Sequence, residues 1–128
     1  IRVLLSEKGQ DLSVKIAPEI LKPYLHHLDS NSCRQVVKAR REVIEERYGQ
    51  ALEIAKSALP NFKQQAKEVY GSKWQYEIDR LTYLKQFNPS IREDEITRLQ
   101  KLQKEGLSLL DGLSVTPEAI QVMVVVKP

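Results

Sequence analysis

The sequence predicts an α+β fold, with a small, mostly antiparallel sheet packed by long helices. Three observations lead to this prediction. Apolar residues recur at helical spacing through nearly half of the chain, apolar strand-forming residues cluster at both ends, and a proline-containing turn at residues 88–95 separates two helical segments. The length of 128 residues suits one domain with a modest core. We therefore expect residues 1–128 to form a single domain. Because the chain starts inside an apolar run and without Met, we also expect it to be a fragment of a longer chain.

The predicted sheet consists of an N-terminal hairpin and a C-terminal strand. Residues 1–5 are apolar-rich, and Gly9 lies in the following turn, where it can adopt a positive φ. Residues 12–16 alternate between apolar and polar side chains, as a half-buried strand does. Residues 119–126 are rich in β-branched side chains and form the last predicted strand. We expect it to pair with residues 1–5.

Helical signals follow the hairpin. Pro18 and Pro23 bracket one or two helical turns. Residues 29–32, with the sequence Asp-Ser-Asn-Ser, are all strong N-cap types, so a long helical segment should begin there.

An apolar stripe runs along this segment and is predicted to form one helical face. Pro60 interrupts the segment, and an interior proline costs about 3 kcal/mol because it lacks an N–H and clashes with the preceding turn. Since the stripe keeps its spacing on both sides of Pro60, we favour one kinked helix, with two separate helices as the alternative. Arg40 fills one position of the stripe, and its apolar members are Val37, Ile44, Tyr48, Ala51, Ala55, Ala58, Phe62, Ala66, Val69, Trp74, Ile78, Leu81 and Leu84.

Residues 88–95 predict the start of a second helix. Pro89 ends the preceding helix, and Ser90 and Glu93 have the spacing of a capping box. The acidic run at residues 93–95 suits the positive end of a helix dipole. This helix should end at Asp111–Gly112.

We find no catalytic, cofactor or metal site in the sequence and predict that this chain is not itself an enzyme. Its glycines are scattered and form no phosphate-binding loop. His26 and His27 lack further ligands at metal-binding spacing, and Cys33 is the sole cysteine. No apolar run reaches the roughly 20 residues that cross a bilayer.

Two groups of residues are candidate contact surfaces. Arg34, Lys38 and Arg41 share one helical face, a tentative basic contact face for phosphates or an acidic partner. The alternative is a solvated face, because the interleaved Glu42, Glu45 and Glu46 can pair with Lys38 and Arg41. A set of aromatic residues with basic neighbours could stack on bases, although Trp74 better suits a core or helix contact. The aromatic residues are Tyr70, Trp74, Tyr76, Tyr83 and Phe87, and the basic ones are Lys73, Arg80 and Lys85.

Two segments resemble a known family. Residues 1–13, IRVLLSEKGQDLS, resemble the opening of the C-terminal domain of the RapA (HepA) family, bacterial RNA-polymerase-associated ATPases of the Swi/Snf type. Residues 88–95, NPSIREDE, are similar to that domain's Asn-Pro-x-Ile-Arg-x-Asp-Glu stretch, and the valine-rich segment lies where that family ends.

The resemblance implies a non-catalytic C-terminal domain with a structural or interaction role in an ATP-dependent factor that recycles RNA polymerase. It places the parent protein in the bacterial cytoplasm, with no membrane contact. ATP and Mg²⁺ would bind upstream, in the ATPase lobes of the parent. The implied partners are core RNA polymerase, nucleic acid and other domains of the same chain. The alternative is a free-standing, coiled-coil-type interaction module with a small sheet.

Overall fold

The computed structural model describes residues 1–126. Its helices are α1 (Pro18–Leu21), α2 (Ser30–Ala39), α3 (Arg41–Lys85) and α4 (Glu93–Asp111), with a 3-10 turn over Lys22–Tyr24. Contacts group the chain into two compact units. The first unit comprises Ile1–Ala58 and residues 115–126, and the second comprises Leu59–Ser114. Helix α3 contributes residues to both units.

The predicted α+β fold is wrong, because no sheet forms within the described part of the chain. Among residues 1–126, 64% are helical and only 2% have strand-type pairing. The predicted closing strand, residues 119–126, has no regular structure and does not pair with residues 1–5. β-Branched residues favour strands where neighbouring strands pack against them, but the valines at the end of this segment are largely exposed.

The predicted N-terminal hairpin is reduced to a tight turn closed by one antiparallel bridge between Leu5 and Asp11. Gly9 has a φ of 80° in this turn, as the sequence predicts. The Asp11 carboxylate accepts hydrogen bonds from the amide and the hydroxyl of Ser13, at 2.8 and 2.5 Å. This local bonding bends the backbone where the second strand was predicted, and Val14 is left almost fully exposed.

Helix α2 begins at the predicted cluster of N-cap residues. The Asp29 carboxylate accepts hydrogen bonds from the amides of Asn31 and Ser32, both at 3.0 Å. The Ser32 hydroxyl also donates to this carboxylate. The bonds stabilise the charged form and lower the pKa of Asp29, with the Ser32 hydroxyl as the largest cause.

The long helical segment is broken at Arg40 and not at Pro60. Arg40 has φ −116° and ψ 16°, which separates α2 from α3. Pro60 lies inside α3, so the prediction of one helix through this position is confirmed. The Pro60 side chain is exposed, and α3 continues through this position although proline cannot donate a helical hydrogen bond.

The apolar stripe does not form one face of the helix. At about 100° per residue, the five-residue step from Val69 to Trp74 turns the stripe by about 140° around the helix axis. Ile78 is 5% exposed, whereas Phe62 and Val69 are 51% and 74% exposed. The second half of α3 therefore has two apolar faces, of which only the one that includes Ile78 is buried.

In the second unit, α4 runs antiparallel to α3. Lys85 at the end of α3 pairs with Glu93 at the start of α4. At the other end of the pair, Lys63 donates to the backbone carbonyl of Asp111 at 2.6 Å, and Lys67 pairs with the Asp111 carboxylate. These two cations lie at the C-terminus of α4, where carbonyls lack helical partners and the dipole is negative.

The predicted capping box before α4 is wrong. Arg92 is the N-cap residue, and its side chain forms no cap hydrogen bond. Ser90 instead donates its amide to the Asn88 side chain at 3.0 Å, so the polar residues of this segment form a turn ahead of the helix. The acidic first turn and the helix end at Asp111–Gly112 are as predicted.

A glycine allows α3 and α4 to approach closely. A Cβ added at Gly106 would overlap the ring of Tyr70. With glycine there, the Tyr70 hydroxyl donates to the carbonyl of Leu102 at 3.2 Å. The Gln103 side-chain amide donates to the carbonyl of Gly71 at 3.1 Å. The glycine that costs α4 helix propensity is therefore required by the packing of Tyr70.

Gly106→Ala should destabilise the chain although alanine is the better helix former. We expect the free energy of unfolding to fall by about 1–3 kcal/mol, because the Tyr70 ring must move. Urea unfolding followed by circular dichroism would measure the change.

The matched control is Gly49→Ala in α3, where an added Cβ meets no atom within 4 Å. That change should raise the free energy of unfolding by about 0.5–1 kcal/mol. Equal gains from both substitutions would contradict the packing of Tyr70 on Gly106.

The lowered pKa of Asp29 predicts an acid-sensitive helix cap. A carboxyl group with a depressed folded-state pKa contributes stability above its unfolded value, near 3.9, and this contribution is lost as the pH falls through the folded-state pKa. Asn caps helices as well as Asp does and does not titrate. Asp29→Asn should therefore match the original chain at pH 7 and lose less stability between pH 5 and pH 2, as measured by urea unfolding at each pH. A parallel loss in both proteins would disprove the cap contribution.

Candidate interaction face

The three residues of the predicted basic contact face lie together in the first unit. Arg34 and Lys38 are one helical turn apart on α2, and Arg41 is the first residue of α3. All three line one shallow, open groove. The other residues that line this groove are Cys33, Val37, Ile44 and Glu45.

Two further arginines that lie nearby in sequence serve a different purpose. Arg40 pairs with the Glu7 carboxylate at 2.9 Å, and Arg47 donates to the Glu7 carbonyl at 3.0 Å. Gln50 donates to the carbonyl of Gly9 at 2.7 Å. Arg47 and Gln50 hold the N-terminal turn on α3, and Arg40 binds it at the break before α3, so these side chains do not contribute to the basic contact face.

The basic contact face is only partly neutralised. The Arg41 guanidinium donates to the Glu45 carboxylate at 2.7 Å, and this hydrogen bond, with the attraction between the two charges, raises the pKa of Arg41. Within residues 1–126, neither Arg34 nor Lys38 forms an ion pair. Of the two cations that neighbouring glutamates could pair with, Arg41 is therefore paired and Lys38 is not, and the choice between a contact face and a solvated face stays a prediction.

Apolar side chains between these cations were not recognised from the sequence as part of the site. Val37 and Ile44 line the groove on either side of the helix break, and Val37 is exposed. Their seven-residue spacing is visible in the sequence, where it belongs to the single stripe predicted along the helix. A groove with cations around apolar side chains can bind a carboxylate or phosphate that has an apolar neighbour.

The groove has no arrangement for covalent or acid–base chemistry. Cys33 is exposed and unpaired as a thiol, and its sulfur lies 3.7 Å from the carbonyl of Leu28. No group of three or more potential metal ligands occurs in the part of the chain that the structure describes. Over the same residues, no helix has the length and apolar character that a membrane span needs.

The aromatic residues of α3 divide between two faces. Tyr70 and Trp74 have ring centroids 6.0 Å apart, and Tyr70 also bonds to α4. Trp74 is half-buried, as expected for a helix contact. Tyr76, Tyr83 and Phe87 are exposed.

Comparison with known proteins agrees with the resemblance at residues 1–13 and 88–95. The sequence profile described as "RNA polymerase recycling family C-terminal" matches residues 1–125. RNA polymerase-associated protein RapA of Pseudomonas aeruginosa (strain LESB58) is 32% identical over 128 residues, which are 97% of this chain and 13% of that protein.

Two further relatives have the same name. The RapA protein of Actinobacillus succinogenes is 34% identical over 128 residues, and that of Pseudomonas putida (strain W619) is 33% identical over 125 residues. In both cases the match covers 97% of this chain and 13% of the relative, so the chain spans about one-eighth of their length. This chain therefore belongs to the RNA polymerase recycling family and corresponds to its C-terminal domain.

Proposed function

We propose that this chain serves as a non-catalytic interaction domain in a longer RNA-polymerase-associated protein. The observation that carries this proposal is the match of residues 1–125 to the C-terminal profile of the family, together with relatives that are about eight times longer. The geometry supports a role in contact, because the candidate face combines free cations with apolar side chains and holds no catalytic set.

By the same argument, the parent protein would be an ATP-dependent, Swi/Snf-type factor of the bacterial cytoplasm that binds core RNA polymerase. ATP and Mg²⁺ would be bound by its upstream part. The chain described here would contribute contacts with polymerase, with nucleic acid or with other domains of the parent.

The basic contact face is the surface that we propose for an anionic partner. Arg34 and Lys38 are unpaired in the described structure, and Arg41 lies beside them in one groove. Exposed cations of this kind increase association rates with acidic surfaces and make binding sensitive to salt.

The first test removes this domain from the parent. The full-length protein and a version without residues 1–128 are compared for ATP hydrolysis, binding to core RNA polymerase, and stimulation of multiple-round transcription. We expect the shortened protein to retain ATP hydrolysis and to lose polymerase binding or stimulation of transcription. The proposal is rejected if the 128-residue chain alone hydrolyses ATP, or if its removal changes neither binding nor transcription.

The second test neutralises the basic contact face in the full-length parent. The triple variant Arg34→Gln, Lys38→Gln, Arg41→Gln should weaken binding to polymerase or to nucleic acid by about tenfold at low salt, and less at high salt, since salt screens exposed charges. Fluorescence anisotropy titrations at two salt concentrations would measure this.

A matched control variant has the same change in charge elsewhere. Arg98→Gln, Lys101→Gln, Lys104→Gln removes three exposed cations from α4. It should leave binding within about twofold of the original protein, because exposed surface charges outside the contact face contribute little. Equal losses in the two triple variants would indicate a general charge effect and would remove the special role of the basic contact face.

A further inference from the structure

We propose that the exposed face of α3 in the second unit is a docking surface for an acidic, amphipathic α-helix. Its centre is a line of apolar and aromatic side chains that we name the aromatic column: Phe62, Val69, Tyr76 and Tyr83. This face is separate from the basic contact face, so the proposal goes beyond the function proposed above.

The aromatic column has the regular spacing that another helix can match. Its members are seven residues apart, which corresponds to two helical turns and a rise of about 10.5 Å. All four are exposed, and Tyr76 is 69% exposed. A stripe with a two-turn repeat is the pattern by which helices pair along a seam. A long helix with such a stripe left exposed is typical of a surface that a partner covers.

A groove lies beside the first half of the column. It is lined mainly by Phe62, Ala66 and Val69 of α3, with Leu110 of α4 at one side and Lys73 at one end. Its lining is mostly apolar, and it can receive an apolar side chain from a docked helix. Pockets that receive single anchor residues are the usual centres of binding energy in protein interfaces.

Charge specifies the chemistry of the partner. Lys73 and Arg80 flank the aromatic column on one side and are also seven residues apart. Arg80 pairs only with Glu77 of its own helix, at 2.9 Å, and Lys73 forms no ion pair within residues 1–126. On the other side of the column, the Asp79 carboxylate accepts a hydrogen bond from Gln75. A partner helix with carboxylates seven residues apart would place one beside each cation.

A protein helix fits this face better than single-stranded nucleic acid does. Successive bases in a stacked strand are about 3.4 Å apart, whereas the nearest rings of the column, those of Tyr76 and Tyr83, are separated by a rise of about 10.5 Å along the helix. Aromatic residues combined with arginine are the side chains enriched in protein–protein interfaces.

The test uses the 128-residue chain and a synthetic peptide of three heptads. Each heptad has Leu at its two seam positions and Glu at the positions that flank the seam. Isothermal titration calorimetry should detect binding. Tyr76→Glu should weaken this binding by about tenfold or more.

The control is Tyr24→Glu in the first unit, since Tyr24 is 77% exposed and lies outside α3. This substitution should leave peptide binding unchanged. Circular dichroism verifies the helix content, and Tyr76→Gln replaces Tyr76→Glu if the latter unfolds.

A charge swap tests the acidic preference. The variant Lys73→Glu, Arg80→Glu should bind an otherwise identical peptide with Lys at the flanking positions more tightly than the Glu peptide. No such inversion, no binding of the Glu peptide, or binding that Tyr76→Glu leaves unchanged would each overturn the proposal.

Two other binding partners for the exposed face of α3, a second copy of the chain and single-stranded nucleic acid, would give different results. Sedimentation that shows a dimer of the chain, lost in Tyr76→Glu, would assign the face to a second copy and overturn the proposal. Displacement of the peptide by a single-stranded oligonucleotide would do the same in favour of nucleic acid. These outcomes do not depend on polymerase binding by the parent, so they leave the proposed function standing or falling by its own tests.

Discussion

The structure depends on hydrogen bonds that side chains of α3 donate to backbone carbonyls of the segments beside it. In the first unit, Arg47 and Gln50 bond to carbonyls of the N-terminal turn, and in the second, Lys63 bonds to the end of α4. These carbonyls have no partner in a sheet or a helix, and the side chains of α3 supply one. Directional bonds matter here because the apolar core is small. Its buried residues in the described chain are Ala55, Ile78 and Ile96.

Features with local causes were predictable from the sequence, whereas features that need a distant partner were not. The cap at Asp29, the positive φ of Gly9 and the end of α4 at Gly112 each follow from a few neighbouring residues. The sheet required residues 119–126 to find a partner strand, and strand propensity alone does not supply one. The prediction of one apolar face is wrong for a different reason, since the five-residue step from Val69 to Trp74 moves the stripe to another face of the helix.

The candidate face shows the same division. The spacing of Arg34, Lys38 and Arg41 correctly indicated that they lie near each other. No glycine or proline marks the break at Arg40, so the groove between α2 and α3 could not be predicted. The sequence also could not show which cations are free, because Arg40 pairs with Glu7, 33 residues away. The number of charges along a helix therefore indicates a basic region. It does not show which arginines bind other residues of the chain, as Arg40 does, and which are free to contact a partner.

The contact between Gly106 and Tyr70 has a consequence for how this family can change over time. The Tyr70 ring occupies the space that a side chain at position 106 would need, so the constraint acts on the combined volume of the two residues. A lineage that acquires a larger residue at the glycine must first or simultaneously reduce the tyrosine. Such a lineage then also gives up the hydroxyl that bonds to Leu102. Evolution at these two positions is therefore expected to proceed by paired replacement, and each intermediate with only one replacement is less stable than either end point.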